Sequence, residues 1–135
     1  MPTTRTLTEA AFYRRWNLLA ASGAMLLYIV NQVILKDYFS GKAGIPVIGY
    51  FCRCYLNDLL YPLFFLGFCE ILLIWIDREI RSFPGLVLLA MSAGLLFEYV
   101  GPLVRADAVS DPLDLVCYLA GTCVYYLGLR AGIHR

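Results

Sequence analysis

Seven polar residues inside or beside the apolar segments of this chain are candidates for binding a ligand. They are Asn57, Asp58, Glu98, Arg105, Asp111, Asp114 and Tyr118. Carboxylates accept hydrogen bonds from cations and hydroxyl groups, whereas an arginine guanidinium binds carboxylate and phosphate oxygens. Glu98 is the most informative, because it lies about 9 Å, or six helical residues, inside the end of its apolar run. A carboxylate in such surroundings needs a partner, a proton or water, so these residues predict a ligand-binding pocket.

The spacing of these residues predicts which of them meet. Glu98 and Arg105 lie on one face of a helix, and Asp114 and Tyr118 lie on one face of the next. Folding these two helices into a hairpin about residue 108 brings Tyr118 to the depth of Glu98. We therefore expect the Tyr118 hydroxyl to donate to Glu98, and we expect Arg105 to pair with Glu98 or Asp114.

Helix capping is an alternative role for some of the same residues. Asp111 and Asp114 flank a proline, which is typical of a helix start with a cap and an acid in the first turn. Asn57 and Asp58 fit the same role in an earlier helix. Capping does not explain Glu98, because the helix dipole disfavours an anion near a C-terminus. A ligand site and a structural ion network therefore both stay open.

Other catalytic and metal-binding chemistry has little support in the sequence. The single histidine, His134, is the penultimate residue, and no Ser-His, Cys-His, zinc or phosphate-loop pattern is present. The Cys52–Cys54 pair lacks a second pair, and the three other cysteines fall in apolar runs, where cysteine acts as a small apolar residue. We therefore expect no cofactor and leave the metal content of the site undefined. An enzyme is disfavoured, although carboxylates with an arginine and a tyrosine could support acid–base chemistry.

Four apolar runs must position these side chains, at residues 17–35, 56–76, 83–104 and 113–129. A helix rises about 1.5 Å per residue, so runs of this length suit a bilayer core of roughly 30 Å. The hydrophobic fraction of 61% lies outside the range of ordinary soluble domains. The sequence predicts an all-α four-transmembrane-helix bundle over residues 17–130. A cytoplasmic or interfacial arm at residues 1–16 precedes it, and an outer loop lies at residues 36–55.

Two further polar features concern the interior of the predicted bundle. A stripe of small and polar residues recurs at helical spacing in the first run, so we expect it to face other helices; it comprises Asn17, Ala21, Ala24, Tyr28 and Asn31. Glu70 lies apart from the other acids, towards the opposite end. We expect its carboxylate to pair with Arg78 or Arg81.

The basic residues predict the orientation of the bundle. With a cytoplasmic N-terminus, seven fall inside, namely Arg5, Arg14, Arg15, Arg78, Arg81, Arg130 and Arg135, and four fall outside, namely Lys36, Lys42, Arg53 and Arg105. This excess favours cytoplasmic N- and C-termini and an outward-facing ligand site. The formal net charge of +1 argues against nucleic acid as a partner.

One pattern spans the last third of the chain and consists of Phe97-Glu98, Arg105, Asp114 and Gly121. It resembles the signature of the VanZ-like membrane proteins, in which a Phe-Glu pair ends the third helix, an arginine follows, and an aspartate opens a helix ending in Asn-x-x-Gly. Tyr118 stands at the position of that asparagine, so the asparagine's role does not carry over. The segments at 57–60 and 111–114 look closer to a small bacterial group labelled magnesium citrate secondary transporter. The resemblance implies a bacterial inner-membrane protein, in a family linked to glycopeptide (teicoplanin) resistance.

These observations predict a VanZ-like integral membrane protein of the bacterial cell envelope. Its outer-facing pocket would bind a lipid headgroup, a glycopeptide or a similar polar ligand. The alternative is a small transporter of a cation or a cation–carboxylate complex, which would have to be a homodimer because four helices are too few for an inverted repeat. A scaffold role also stays open. The expected partners are membrane lipid and a small polar or amphiphilic ligand.

Overall fold

The computed structural model describes residues 7–40, 45–104 and 111–133, and all regular secondary structure in these ranges is helical. The elements are α1 (Leu7–Val30), a π-helical turn (Asn31–Leu35), α2 (Lys36–Ser40), α3 (Pro46–Cys54), α4 (Leu56–Ile74), α5 (Phe83–Val104) and α6 (Pro112–Ile133). The prediction of an all-α chain is therefore confirmed.

Four of the described helical segments are long and apolar enough to cross a membrane. They are Glu9–Phe39, Leu56–Ile74, Phe83–Val100 and Pro112–Ala131. Their positions agree with the four apolar runs, and their lengths match the hydrocarbon thickness of a bilayer. The chain is therefore compatible with a multi-pass membrane protein, while the side on which its termini lie stays a prediction.

The helices extend further than the apolar pattern predicted. α1 begins at Leu7, so most of the segment predicted as an arm at residues 1–16 is a continuation of the first helix. The reason is that Tyr13 is only 1% exposed and packs inside the bundle. The predicted loop at residues 36–55 is also largely helical, since it contains α2 and α3. A proline at the first position of α3, where no N–H partner is needed, favours that helix.

The centre of the bundle is α4, which packs against both α1 and α6, while α5 packs mainly against α6. Two glycines allow these close approaches. A Cβ at Gly67 would lie 2.7 Å from the carbonyl oxygen of Asn17, and a Cβ at Gly121 would lie 2.3 Å from that of Leu59. Both distances are too short for any side chain, so glycine sets the separation of α4 from its two neighbours.

The small and polar stripe of α1 faces the other helices as predicted, with one exception. Asn17, Ala21, Ala24 and Asn31 are all buried, whereas Tyr28 is 42% exposed. The π-helical turn begins at Asn31. The side-chain amide of Asn31 donates to the carbonyl oxygen of Cys52 at 2.8 Å and to Oδ1 of Asn57 at 3.0 Å. Asn31 therefore links α1 to both α3 and α4.

The antiparallel helices give the bundle two distinct ends. We call the end that holds Asp58, Glu98 and Asp114 the carboxylate end. We call the opposite end, which holds the connection between α4 and α5, the turn end. Contacts between Phe83 and Tyr126 place the start of α5 beside the last turns of α6 at the turn end.

Candidate functional site

Four side chains from three helices meet at the carboxylate end, and we call them the carboxylate cluster: Asp58 of α4, Glu98 of α5, and Asp114 and Tyr118 of α6. The Tyr118 hydroxyl lies 3.3 Å from Oε1 of Glu98 and 3.5 Å from Oδ1 of Asp58, so it can donate to either carboxylate. The contact between Tyr118 and Glu98 that hairpin geometry predicted is therefore present.

Neighbouring residues hold Tyr118 in this position. Its side chain is 6% exposed, and its ring lies directly over Gly94, where a Cβ would come within 2.7 Å of Cδ2. The Tyr61 ring lies 5.2 Å away on the α4 side and makes an edge-to-face contact with Phe97 at 5.9 Å. This aromatic packing fixes the direction of the hydroxyl towards the two carboxylates.

Negative charge is concentrated in the cluster. Asp58 and Glu98 both lie within reach of the Tyr118 hydroxyl, and Asp114 lies one helical turn before Tyr118 on the same face of α6. Within the described ranges, no lysine or arginine forms an ion pair with any of the three. The cluster is therefore chemically suited to a proton, a cation, or an ammonium or hydroxyl group of a ligand.

The other predicted site residues have separate positions. Asn57 accepts the hydrogen bond of Asn31 beside the cluster, and the capping alternative is not seen there, because α4 has no side-chain cap. Asp111 does cap α6, since its Oδ1 accepts from the backbone N–H of Leu113 at 3.0 Å. Arg105 lies outside the described residues, so its predicted pairing stays a prediction.

A cleft between α1 and α4 adjoins the carboxylate cluster. Its volume is about 200 Å³, and it is lined by Ala24, Met25, Tyr28, Asn57, Leu60, Tyr61 and Phe64. The lining is almost wholly apolar. Tyr61 lines the cleft and also packs against the Tyr118 ring. The Tyr61 hydroxyl is buried and has no hydrogen-bond partner among the described residues. An apolar groove and a polar cluster are thus adjacent.

Two further negative findings apply to the described ranges. No three histidine, cysteine, aspartate or glutamate side chains there are arranged to hold a metal ion. Cys52, Cys54, Cys69, Cys117 and Cys123 are all free thiols.

A second polar cluster, which the sequence pattern did not reveal, lies at the turn end. Glu70 is fully buried. Its carboxylate accepts hydrogen bonds from the Tyr13 hydroxyl and from the backbone N–H of Ile80 at 3.0 Å. The prediction that Glu70 pairs with Arg78 or Arg81 is wrong. Arg81 pairs with Glu79 at 2.7 Å and lies over the Tyr13 ring.

The physical reason for this correction is the geometry of the connection between α4 and α5. Asp77 adopts a left-handed conformation, with φ of 52°, which turns the chain back towards α4 and aims the Ile80 N–H at Glu70. The burial of Tyr13 could have been predicted from the sequence, because Tyr13 lies one helical turn before Asn17 on the same buried stripe. Next to this cluster the Tyr125 hydroxyl donates to the Asn17 side chain, so α1, α4 and α6 are joined by polar contacts at this end.

Comparison of the chain with models of protein families, with characterised proteins and with solved structures gives no match. The resemblance to the VanZ-like family stays a prediction based on the residues named above.

Proposed function

We propose that this chain is a VanZ-like integral membrane protein of the bacterial cell envelope that binds the polar group of an amphiphilic ligand. The carboxylate cluster is the binding site. One observation carries the proposal: carboxyl groups from two helices of membrane-spanning length, Asp58 and Glu98, lie at the buried Tyr118 hydroxyl of a third, and Asp114 lies one helical turn away on that third helix. Bringing like charges together in apolar surroundings is unfavourable, and a bound cationic or hydroxyl-bearing group offsets that cost.

The chemistry of the cluster suits an ammonium or polyhydroxyl group. Each carboxylate oxygen accepts hydrogen bonds, and the Tyr118 hydroxyl can donate to one carboxylate while it accepts from the ligand. The adjoining cleft gives an apolar segment of the same ligand a place beside Tyr61. A membrane lipid, with its headgroup and acyl chains, or a glycopeptide such as teicoplanin has both parts. Arg105 follows α5 directly in the sequence and would bind an anionic group of the same ligand.

The proposed orientation places the carboxylate end outside the cytoplasmic membrane and both termini inside the cell. The distribution of positive charge supports it. Among the described residues, the turn end holds five exposed arginines, Arg14, Arg15, Arg78, Arg81 and Arg130, whereas the carboxylate end holds Lys36 and Arg53. The positive-inside rule assigns the more basic end to the cytoplasm.

Isothermal titration calorimetry on the purified full chain in nonionic detergent tests the proposal. The probes are teicoplanin and dodecylamine, each titrated separately. We expect one or both to bind the wild type, and we expect Asp58→Asn and Glu98→Gln to weaken binding by about tenfold or more, because each removes a charge-assisted contact. Asp37→Asn is the matched control, since Asp37 is an exposed acid at the same end. Equal affinities for Asp58→Asn and Asp37→Asn, or no binding of either probe, would contradict the proposal.

A further inference from the structure

A second cleft between α1 and α4 lies at the turn end, far from the carboxylate cluster. Its volume is about 340 Å³, and it is lined by Arg14, Ile71, Ile74 and Trp75. The two isoleucines give it an apolar floor, while Arg14 places a guanidinium at its edge. A cleft with one cationic edge and an otherwise apolar lining is suited to an amphiphile with an anionic head.

The two helices that form this cleft are joined by a buried hydrogen bond. Arg14 follows Tyr13, whose hydroxyl is bonded to Glu70, and Glu70 lies on α4 one residue before Ile71. Tyr13 and Glu70 are almost fully buried, so this contact fixes the last turns of α4 against the first turns of α1. The separation of Arg14 from the two isoleucines is therefore set by the bundle itself.

The cleft lies near the end of the apolar span of α4, where we place the boundary between hydrocarbon and headgroups. α4 ends at Ile74, which is also the end of its apolar span. Trp75 follows directly and is 82% exposed. Tryptophan is enriched at this boundary because its ring is apolar and its N–H is polar. Arg14 lies deeper than Trp75, at the level of Glu70 and Ile71, but its long side chain can extend towards the end of the bundle. The guanidinium can then reach headgroup depth while the isoleucines lie at acyl-chain depth.

The guanidinium of Arg14 forms no ion pair within the described part of the chain. Arg14 is exposed, and no acidic side chain in the described ranges pairs with it. Its neighbour Arg15 is also exposed but does not line the cleft. A guanidinium binds phosphate oxygens through two parallel N–H donors, and basic pockets between membrane helices bind anionic headgroups.

We propose that this cleft binds an anionic phospholipid, with its phosphate on Arg14 and one acyl chain along Ile71 and Ile74. The site is independent of the carboxylate cluster at the opposite end of the bundle. It would anchor the turn end to the membrane leaflet that carries anionic lipids.

Quenching of tryptophan fluorescence by brominated lipids tests this inference. The full chain is reconstituted in bilayers that contain either brominated phosphatidylglycerol or brominated phosphatidylcholine. The ratio of the two quenching curves gives the relative association constant next to Trp75. We expect phosphatidylglycerol to be preferred by about fivefold to tenfold in the wild type, a difference typical of one charge-assisted contact.

Arg14→Gln and Arg15→Gln form a matched pair, because they remove the same charge from adjacent exposed positions. We expect Arg14→Gln to lose most of the preference for phosphatidylglycerol and Arg15→Gln to keep most of it. Arg14→Lys should keep the charge but lose part of the preference, since an ammonium lacks the two parallel donors. Trp75→Phe should remove most of the difference in tryptophan quenching between the two brominated lipids.

Two outcomes would overturn the inference. Equal preference in Arg14→Gln and Arg15→Gln would mean that the cleft does not select the lipid. Displacement of the brominated lipid by millimolar glycerol 3-phosphate would assign the site to a soluble phosphate instead of a phospholipid. Elution of each variant as the wild type in gel filtration confirms that the comparison is between folded chains.

Discussion

Gly94→Ala is expected to disrupt both the packing of α5 on α6 and the carboxylate cluster. The new methyl group would lie 2.7 Å from Cδ2 and 2.8 Å from Cε2 of the Tyr118 ring. Ordinary contact between two carbon atoms is about 3.5–4.0 Å, so the ring must move by roughly 1 Å. Tyr61 lies against the same ring at 5.2 Å between centroids, which leaves the ring little room to retreat.

The magnitude follows from the cost of overpacking. Inserting one methyl group into a well-packed site typically costs about 1–3 kcal/mol. Gly23→Ala is the matched control, because a Cβ at Gly23 meets no atom within 4 Å. Replacing a glycine inside a helix by alanine at an open position stabilises by roughly 0.5–1 kcal/mol. The same gain applies to Gly94→Ala and cancels in the comparison, so the two variants should differ by about 1–3 kcal/mol in their free energy of unfolding, with Gly94→Ala the less stable.

The assay is reversible unfolding in mixed micelles of increasing dodecyl sulfate content, followed by circular dichroism. Dodecylamine binding is measured on the same samples. We expect Gly94→Ala to lose both stability and affinity, because a displaced Tyr118 hydroxyl no longer reaches Glu98. A Gly94→Ala variant as stable as Gly23→Ala, with wild-type affinity, would refute the packing assigned to this helix pair.

Three further predictions concern single side chains. Glu70→Ala should lower the free energy of unfolding by about 3–5 kcal/mol, because it removes the buried carboxylate that accepts from the Tyr13 hydroxyl and from the Ile80 N–H. Tyr13→Phe should cost less, about 1–2 kcal/mol, and equal losses in dodecyl sulfate unfolding would argue against this network. Tyr118→Phe should weaken dodecylamine binding by about threefold to tenfold in calorimetry while changing stability by less than Glu70→Ala does. Asp111→Ala should cost about 1 kcal/mol of stability by removing the cap of α6, and it should leave the calorimetric affinity unchanged.

Much of the carboxylate cluster was predictable because its geometry depends on regular helices. The rise of a helix is constant, so the distance of Glu98 and Tyr118 from the hairpin between α5 and α6 determines their common depth. The positions of the four apolar helices were predictable for a similar reason, since apolar runs of this length are rare outside membranes. The role of Asp111 was predicted only as one of two alternatives, and the local hydrogen bond to Leu113 decides in favour of capping.

The remaining features depend on contacts that a periodic pattern does not encode. The first helix begins before its apolar run, because Tyr13 is held by Glu70 even though Arg14 and Arg15 beside it are exposed. The partner of Glu70 includes the backbone N–H of Ile80, and a backbone group leaves no signature in the sequence. The sequence did not predict α2 and α3, because the glycines and the proline between residues 41 and 49 are more typical of a loop.

Native mass spectrometry of the gently extracted full chain tests the central claim most directly. We expect wild type and Asp37→Asn to retain the same bound amphiphile, and we expect Asp58→Asn and Glu98→Gln to have lost it. Retention of an identical adduct by all four proteins would contradict the assignment of the carboxylate cluster as the binding site.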